Sequence, residues 1–194
     1  ARFASLQKIA PAKHTIETRA GIVHAEVLGE VGERVRVQLP DPFDLRLNIK
    51  IEIGGRTETG HFINTSVPHV VYLVDDVDKI DVIAQGRATR HHPRFAPKGT
   101  NANFIGVIDR HHLKIRTYER GVENETLACG TGAVAGAIIH AALRKASPPV
   151  SLITRGGVVL AVDFIQEGSS FRNISLEGDA RIVYKGEIGE DALI

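Results

Sequence analysis

At 194 residues the chain is long enough for one large domain or two small ones, and its 43% hydrophobic and 24% charged content is ordinary for a globular protein. A net charge of +1 gives no electrostatic footing for nucleic acid or an anionic membrane. The single cysteine excludes an internal disulfide framework and fits a reducing cytoplasm, no apolar run reaches bilayer-spanning length, and no signal-peptide pattern is present.

From the N-terminus, residues 14–18, 21–28 and 34–38 read as antiparallel strands, because β-branched residues alternate with polar ones and glycines separate the runs. The break from Pro40 to Phe43 is the candidate domain boundary. Residues 47–53 and 56–63 flank Gly54-Gly55, a pair suited to tight strand reversal, and so predict a hairpin. Residues 68–74 form a further apolar strand. Helical spacing runs through 78–91, carried by Ile80, Ile83, Ala84, Arg87 and Ala88. Strands are predicted over 103–108 and 113–118, on either side of a polar turn at 109–112. The strongest helix is 132–145, rich in alanine and isoleucine and apolar on nearly every side, hence buried on most faces. Arg144 and Lys145 suit its negative end, and Ser147-Pro148-Pro149 stops it. Residues 150–154 and 158–164 flank Gly156-Gly157 as a second hairpin, and strands at 174–176 and 180–184 close the chain. A central apolar helix wrapped by strands is an α+β architecture.

Chemistry gathers where that helix begins. Cys129 precedes Gly130-Thr131-Gly132, so its thiol faces the unpaired N–H groups and positive dipole end of the helix, which favours thiolate. A free cysteine more often simply packs, but glycine and threonine neighbours are poor core residues and a good anion cradle. Glu119 and Arg120 lie ten and nine positions upstream, at the end of a strand. An exposed ion pair is the plainer role for these two, a helix cap for Thr131, and a turn asparagine for Asn101. A lone histidine such as His69 is more often a structural hydrogen-bonding group than an acid or base. The pairs His91-His92 and His111-His112 sit in polar turns without metal-ligand spacing, and Arg87, Arg90 and Arg94 read as a solvated helix face.

Glu119-Arg120-Gly121-Val122, followed by Glu125-Thr126-Leu127-Ala128-Cys129-Gly130-Thr131-Gly132, resembles the signature of the diaminopimelate epimerase family, cofactor-independent racemases that use two cysteines. Matching segments run from Asn64 to His69, from Gly99 to Phe104, at Gly156-Gly157 and from Gly178 to Tyr184, so the resemblance spans essentially the whole chain. It implies two lobes, each a sheet wrapped around a central helix, with the site between them. Residues 1–45 and the tail 179–194 belong to the first lobe, and 46–178 form the second. The resemblance further implies interconversion of LL- and meso-diaminopimelate for lysine and peptidoglycan precursors, with no cofactor or metal, by a cytoplasmic homodimer. In this frame Cys129 is one catalytic thiol, with His69 and Glu119 supporting the active site. Substrate is bound by Asn64, Asn101, Glu119, Arg120, Gly130 and Thr131. Gly130 and Thr131 take the α-carboxylate at the helix N-terminus, Arg120 a carboxylate, Glu119 an ammonium, and Asn101 the distal amino-acid end.

The family's other cysteine lies just before an Ala-Arg-Phe run, and this chain opens Ala1-Arg2-Phe3. The expectation is a family member lacking that cysteine and about a third of the full length, and inactive alone. The segment from Arg120 to Cys129 is one residue longer, with Glu123-Asn124 where many relatives have one glycine. Val67 precedes Pro68 where many carry asparagine, leaving Asn64 as its stand-in. Other readings are a proline-racemase-like or phenazine-pathway isomerase of the same fold, a thiol hydrolase with Cys129 as nucleophile and His69 as base, and a non-catalytic binding fragment.

Overall fold

The computed structural model describes residues 1–18, 21–29, 32–143, 146–189 and 191, and within them the alternating runs form twelve strands. These are β1 (Lys13–Thr18), β2 (Gly21–Leu28), β3 (Arg34–Gln38), β4 (Phe43–Ile53), β5 (Arg56–Asn64), β6 (Pro68–Leu73), β7 (Asn101–Val107), β8 (His112–Glu119), β9 (Asn124–Thr126), β10 (Val150–Ile153), β11 (Val159–Glu167) and β12 (Ser170–Asp179). Three helices accompany them: α1 (Arg2–Leu6), α2 (Val82–Arg90) and α3 (Gly130–Ala142). The strands join one sheet in the order β1-β2-β3-β12-β11-β10-β8-β7-β6-β5-β4, with β9 paired to β8. The β6–β7 and β8–β10 pairings are parallel and the others antiparallel. The α+β expectation holds.

Strand parity divides the two faces, since successive side chains point to opposite sides. Val71 of β6, Ile105 of β7 and Leu113 and Ile115 of β8 face α3, with Ile138, Ile139, Leu152 and Phe164 in the same core. Val70, Tyr72, Phe104 and Tyr118 face the other way and form a second core with Val82 of α2 and Phe62. The sheet curls around α3, which touches every strand from β5 to β8 and from β10 to β12. Every residue from Gly132 to Ala141 is buried, His140 included, as expected of a helix apolar on nearly every side. Each buried isoleucine there contributes about 1.5–3 kcal/mol. Glycines set the approach: a Cβ at Gly86 would lie 2.6 Å from Tyr118 Cγ, so α2 sits directly on that ring.

Several expectations need correcting. The helical spacing over 78–91 resolves into a 3-10 turn at Val77–Lys79, an extended Ile80 and the shorter α2. Asp81 stops the run because its carboxylate accepts the Ala84 N–H at 2.9 Å as an N-cap. No strand covers 180–184: Ala180 donates to the Glu33 carbonyl at 2.9 Å, and residues 181–189 are exposed coil. α1 and β9 had no sequence signal. β4 starts at Phe43, inside the expected break, and takes two register shifts where Asp44 and Asn48 adopt φ of 55°. The helix end expected at Arg144 and Lys145 lies outside the described residues.

Candidate active site

The parity that builds the α3 core also gathers the polar residues. His69, Asn101, Asn103, Thr117 and Glu119 share the odd-numbered face that turns toward α3, and the registers set His69 beside Asn101 and Asn103 beside Thr117. Of these, Asn103 and Thr117 were not singled out from the sequence. The alternation of small and apolar residues in β7 reads as core, and only the cross-strand register shows that a carboxamide fills it.

Cys129 is the N-cap residue of α3, extended at φ −134° and ψ 110°, and 8% exposed. Its sulfur lies 3.6 Å from Thr131 Oγ1. Burial pushes the thiol above its ordinary pKa. The Thr131 hydroxyl and the N–H groups of Gly132 and Thr131 pull the other way and do not offset it, and the Glu119 carboxylate adds to the rise. The thiolate expected from the helix N-terminus is therefore opposed: desolvation outweighs the hydrogen bonds that favour the anion and holds the thiol's pKa up. Thr131 does not cap the helix. Its carbonyl accepts the Thr65 hydroxyl at 3.1 Å, which ties the first turn of α3 to the loop after β5.

Asn103 lies under this turn. A Cβ at Gly132 would meet Asn103 Oδ1 at 2.5 Å and Cys129 Sγ at 3.2 Å, so both atoms crowd the same glycine. The carboxamide oxygen accepts the Thr117 hydroxyl at 3.0 Å, which leaves its nitrogen to donate to the Val70 carbonyl at 3.0 Å and to His69 Nδ1 at 3.1 Å. His69 Nδ1 is thereby an acceptor, the ring proton sits on Nε2, and that nitrogen has no protein partner. The ring is fully buried, and burial pushes its pKa down to about 3. A neutral imidazole already engaged by Asn103, without a bond to the Cys129 sulfur, is a poor match for the nucleophile–base pair of a thiol hydrolase.

The remaining candidates meet a short way off. Asn101 is 3% exposed; its Oδ1 accepts the Arg120 backbone N–H at 2.7 Å and its Nδ2 donates to the Pro68 carbonyl at 3.2 Å. The Arg120 guanidinium donates to the Lys98 carbonyl at 3.2 Å. Arg120 and Asn64 line one cavity of about 360 Å³, whose other cationic walls are Arg46, Arg94 and Lys98. The Asn64 side-chain oxygen is buried without a hydrogen-bond partner. The structure thus brings Asn64 and Arg120 to one cavity, with Asn101 bonded to the backbones of its lining residues Arg120 and Pro68, and it brings Cys129, Gly130, Thr131 and Glu119 together, with His69 and Asn103 beneath. Among the described residues, no three of His, Cys, Asp and Glu are placed to hold a metal ion, and no helix is long and apolar enough to cross a membrane.

Solved structures establish the fold class. A PhzF-family phenazine biosynthesis protein of Bacillus anthracis aligns with 91% of this chain and 69% of its own at TM-score 0.66 and 16% identity. A probable proline racemase of Agrobacterium radiobacter K84 aligns with 94% and 65% at TM-score 0.64 and 15% identity. This is the sheet-around-a-helix fold those proteins share. Within that class, the diaminopimelate epimerase family profile matches residues 61–183. Diaminopimelate epimerases of Aquifex aeolicus (strain VF5) and Chlorobaculum tepidum are 44% and 40% identical over 99% and 96% of the chain. The chain belongs to the diaminopimelate epimerase family, and it spans 67% and 70% of the length of those two relatives.

Proposed function

We propose that this protein interconverts LL- and meso-diaminopimelate without a cofactor, by moving the proton at one α-carbon between two bases on opposite faces, with Cys129 as one of them. The observation that carries the reading is the Cys129 thiol set beside the first-turn N–H groups of a buried helix, of which those of Thr131 and Gly132 reach its sulfur. Those groups suit the α-carboxylate and help to stabilise the charge that develops as the proton leaves. In one direction Cys129 enters as the thiol that returns the proton while its partner enters as the base, and in the other direction the roles exchange. Glu119 receives the substrate ammonium, which also relieves the carboxylate's repulsion of a thiolate. Asn64, Asn101 and Arg120 hold the distal amino-acid end. His69 stays neutral and supports the floor of the site.

The chain contains no other cysteine. In this reading the second thiol comes from a segment outside these 194 residues, which completes a first lobe with residues 1–45 and 179–194 against the second lobe of 46–178. The enzyme works in the cytoplasm as a homodimer.

Proton NMR of LL-diaminopimelate in deuterated solvent, together with calorimetry, tests this. The 194-residue chain is expected to bind diaminopimelate, with binding lost in Arg120→Ala, and to leave the α-hydrogen in place. A longer form carrying the second cysteine is expected to exchange it, and Cys129→Ala to abolish that exchange. Absence of binding by both forms overturns the substrate assignment. Exchange by the 194-residue chain alone overturns the two-thiol mechanism.

A further inference from the structure

Two loops carry the distal-end residues, and they belong to different parts of the sequence. One is the approach to β7 through Gly99 to Asn101, and the other is the turn after β8 through Arg120 and Gly121 to Glu123. A single side chain from α2 touches both. The Arg90 Nε donates to Glu123 Oε1 at 2.9 Å, with the arginine side chain only 18% exposed. The same carboxylate oxygen accepts the Gly121 N–H at 3.0 Å. Glu123 itself sits at φ 58°, a conformation that a non-glycine residue holds only where its surroundings impose it. On the other side, Gly99 has φ 66°, and a Cβ there would overlap the Arg90 guanidinium and come within 2.6 Å of the Arg90 carbonyl. Only glycine lets the arginine lie flat on that loop. The two loops then meet at the Arg120 N–H to Asn101 Oδ1 bond, and again at the Arg120 guanidinium and the Lys98 carbonyl.

Arg90 comes from a firm base. It is the last residue of α2, which Gly86 seats against Tyr118 and which the Asp81 cap closes at its other end. The solvated helix face expected for Arg90 from the sequence is therefore corrected, since its side chain is mostly enclosed between the loops.

We propose that Arg90, through its pair with Glu123, is a positioning residue that sets the spacing of Asn101 and Arg120 and so the fit of the cavity to the distal amino-acid end of the substrate. The role of those two residues rests on the proposed function; the latch itself does not. Arg90 does not line the cavity. It fixes two loops that do, and a charge-assisted bond held partly away from water is strong enough to matter for that purpose.

Backbone amide exchange by NMR on the 194-residue chain, paired with calorimetry using meso-diaminopimelate, decides the matter. In Arg90→Gln, the amides of Asn101, Arg120 and Gly121 are expected to exchange about tenfold faster, with α3 amides unchanged, and the dissociation constant to rise about tenfold. Arg90→Lys is expected to recover most of both effects. Glu123→Gln, a change at a half-exposed position, is expected to reproduce them, and the double variant to do no worse than either alone. Faster exchange confined to 121–123, uniform loosening that includes α3, or additive effects of the two substitutions would each overturn the latch. If the wild-type chain takes up no diaminopimelate, the proposed function fails while amide exchange still rules on the latch.

Discussion

At the mouth of α3 the Cys129 sulfur is pulled two ways: helix N–H groups and the Thr131 hydroxyl favour its anion, while enclosure and the Glu119 carboxylate oppose it. The second pull wins, so removing Glu119's charge should move the balance back. Glu119→Gln is expected to lower the thiol pKa and raise the rate of iodoacetamide labelling of Cys129 at pH 8 about threefold to tenfold, read by mass spectrometry. A rate equal to or below wild type would mean that Glu119 does not reach the sulfur electrostatically. At this scale the sequence was readable where a motif named a residue type: Cys129, Gly130, Thr131, Asn101, Arg120 and His69 all fall at the two neighbouring sites. Asn103, Thr117 and the Arg90–Glu123 pair were not, because their importance comes from register and from which helix end meets which loop. No one-dimensional pattern carries that information.

Among the elements, the two helices meet the sheet through glycines of different tolerance. A Cβ at Gly136 of α3 would run into Ile105 Cδ1, the movable end of a side chain, whereas one at Gly86 of α2 meets Tyr118 at Cβ and Cγ, next to the backbone. Alanine gains up to about 1 kcal/mol of helix propensity over glycine, and overpacking costs about 1–3 kcal/mol. Gly136→Ala is therefore expected to be near neutral and Gly86→Ala to destabilise by about 2 kcal/mol in urea unfolding. Equal costs would show that Tyr118 can retreat. Element type was legible where the pattern was sustained, as in the hairpin at Gly54-Gly55 and in the largely apolar α3. It failed for the three-residue β9 and the five-residue α1, which are too short to show a period, and over 78–91, where the capping carboxylate of Asp81 overrode apparent helical spacing.

Over the whole molecule, the buried neutral His69 couples folding to acidity. Its folded pKa of about 3 lies below its ordinary value of 6.5, so the unfolded chain binds the proton first, and stability falls as pH drops below 6.5 until about 3. Between pH 7 and pH 5 that one ring is expected to cost about 2 kcal/mol. His69→Gln, compared with wild type in urea titrations at both values, should remove that part of the slope. An unchanged slope would mean that the ring gains a proton without leaving its place. The sheet poses a different problem, one of timing. Its β1–β3 section is joined to the rest by β12, and Glu177 there is gripped by Arg34 at 2.8 Å and Arg36 at 2.9 Å. The Arg34 and Glu177 partners lie 143 residues apart. At translation speeds of about 5–20 residues per second, β3 waits roughly 7 to 30 seconds on the ribosome with one flank unpaired. The charges that later clasp Glu177 stand on that flank throughout the wait, where like charge repels other nascent strands: Arg34 and Arg36 serve as sentries before they serve as rivets.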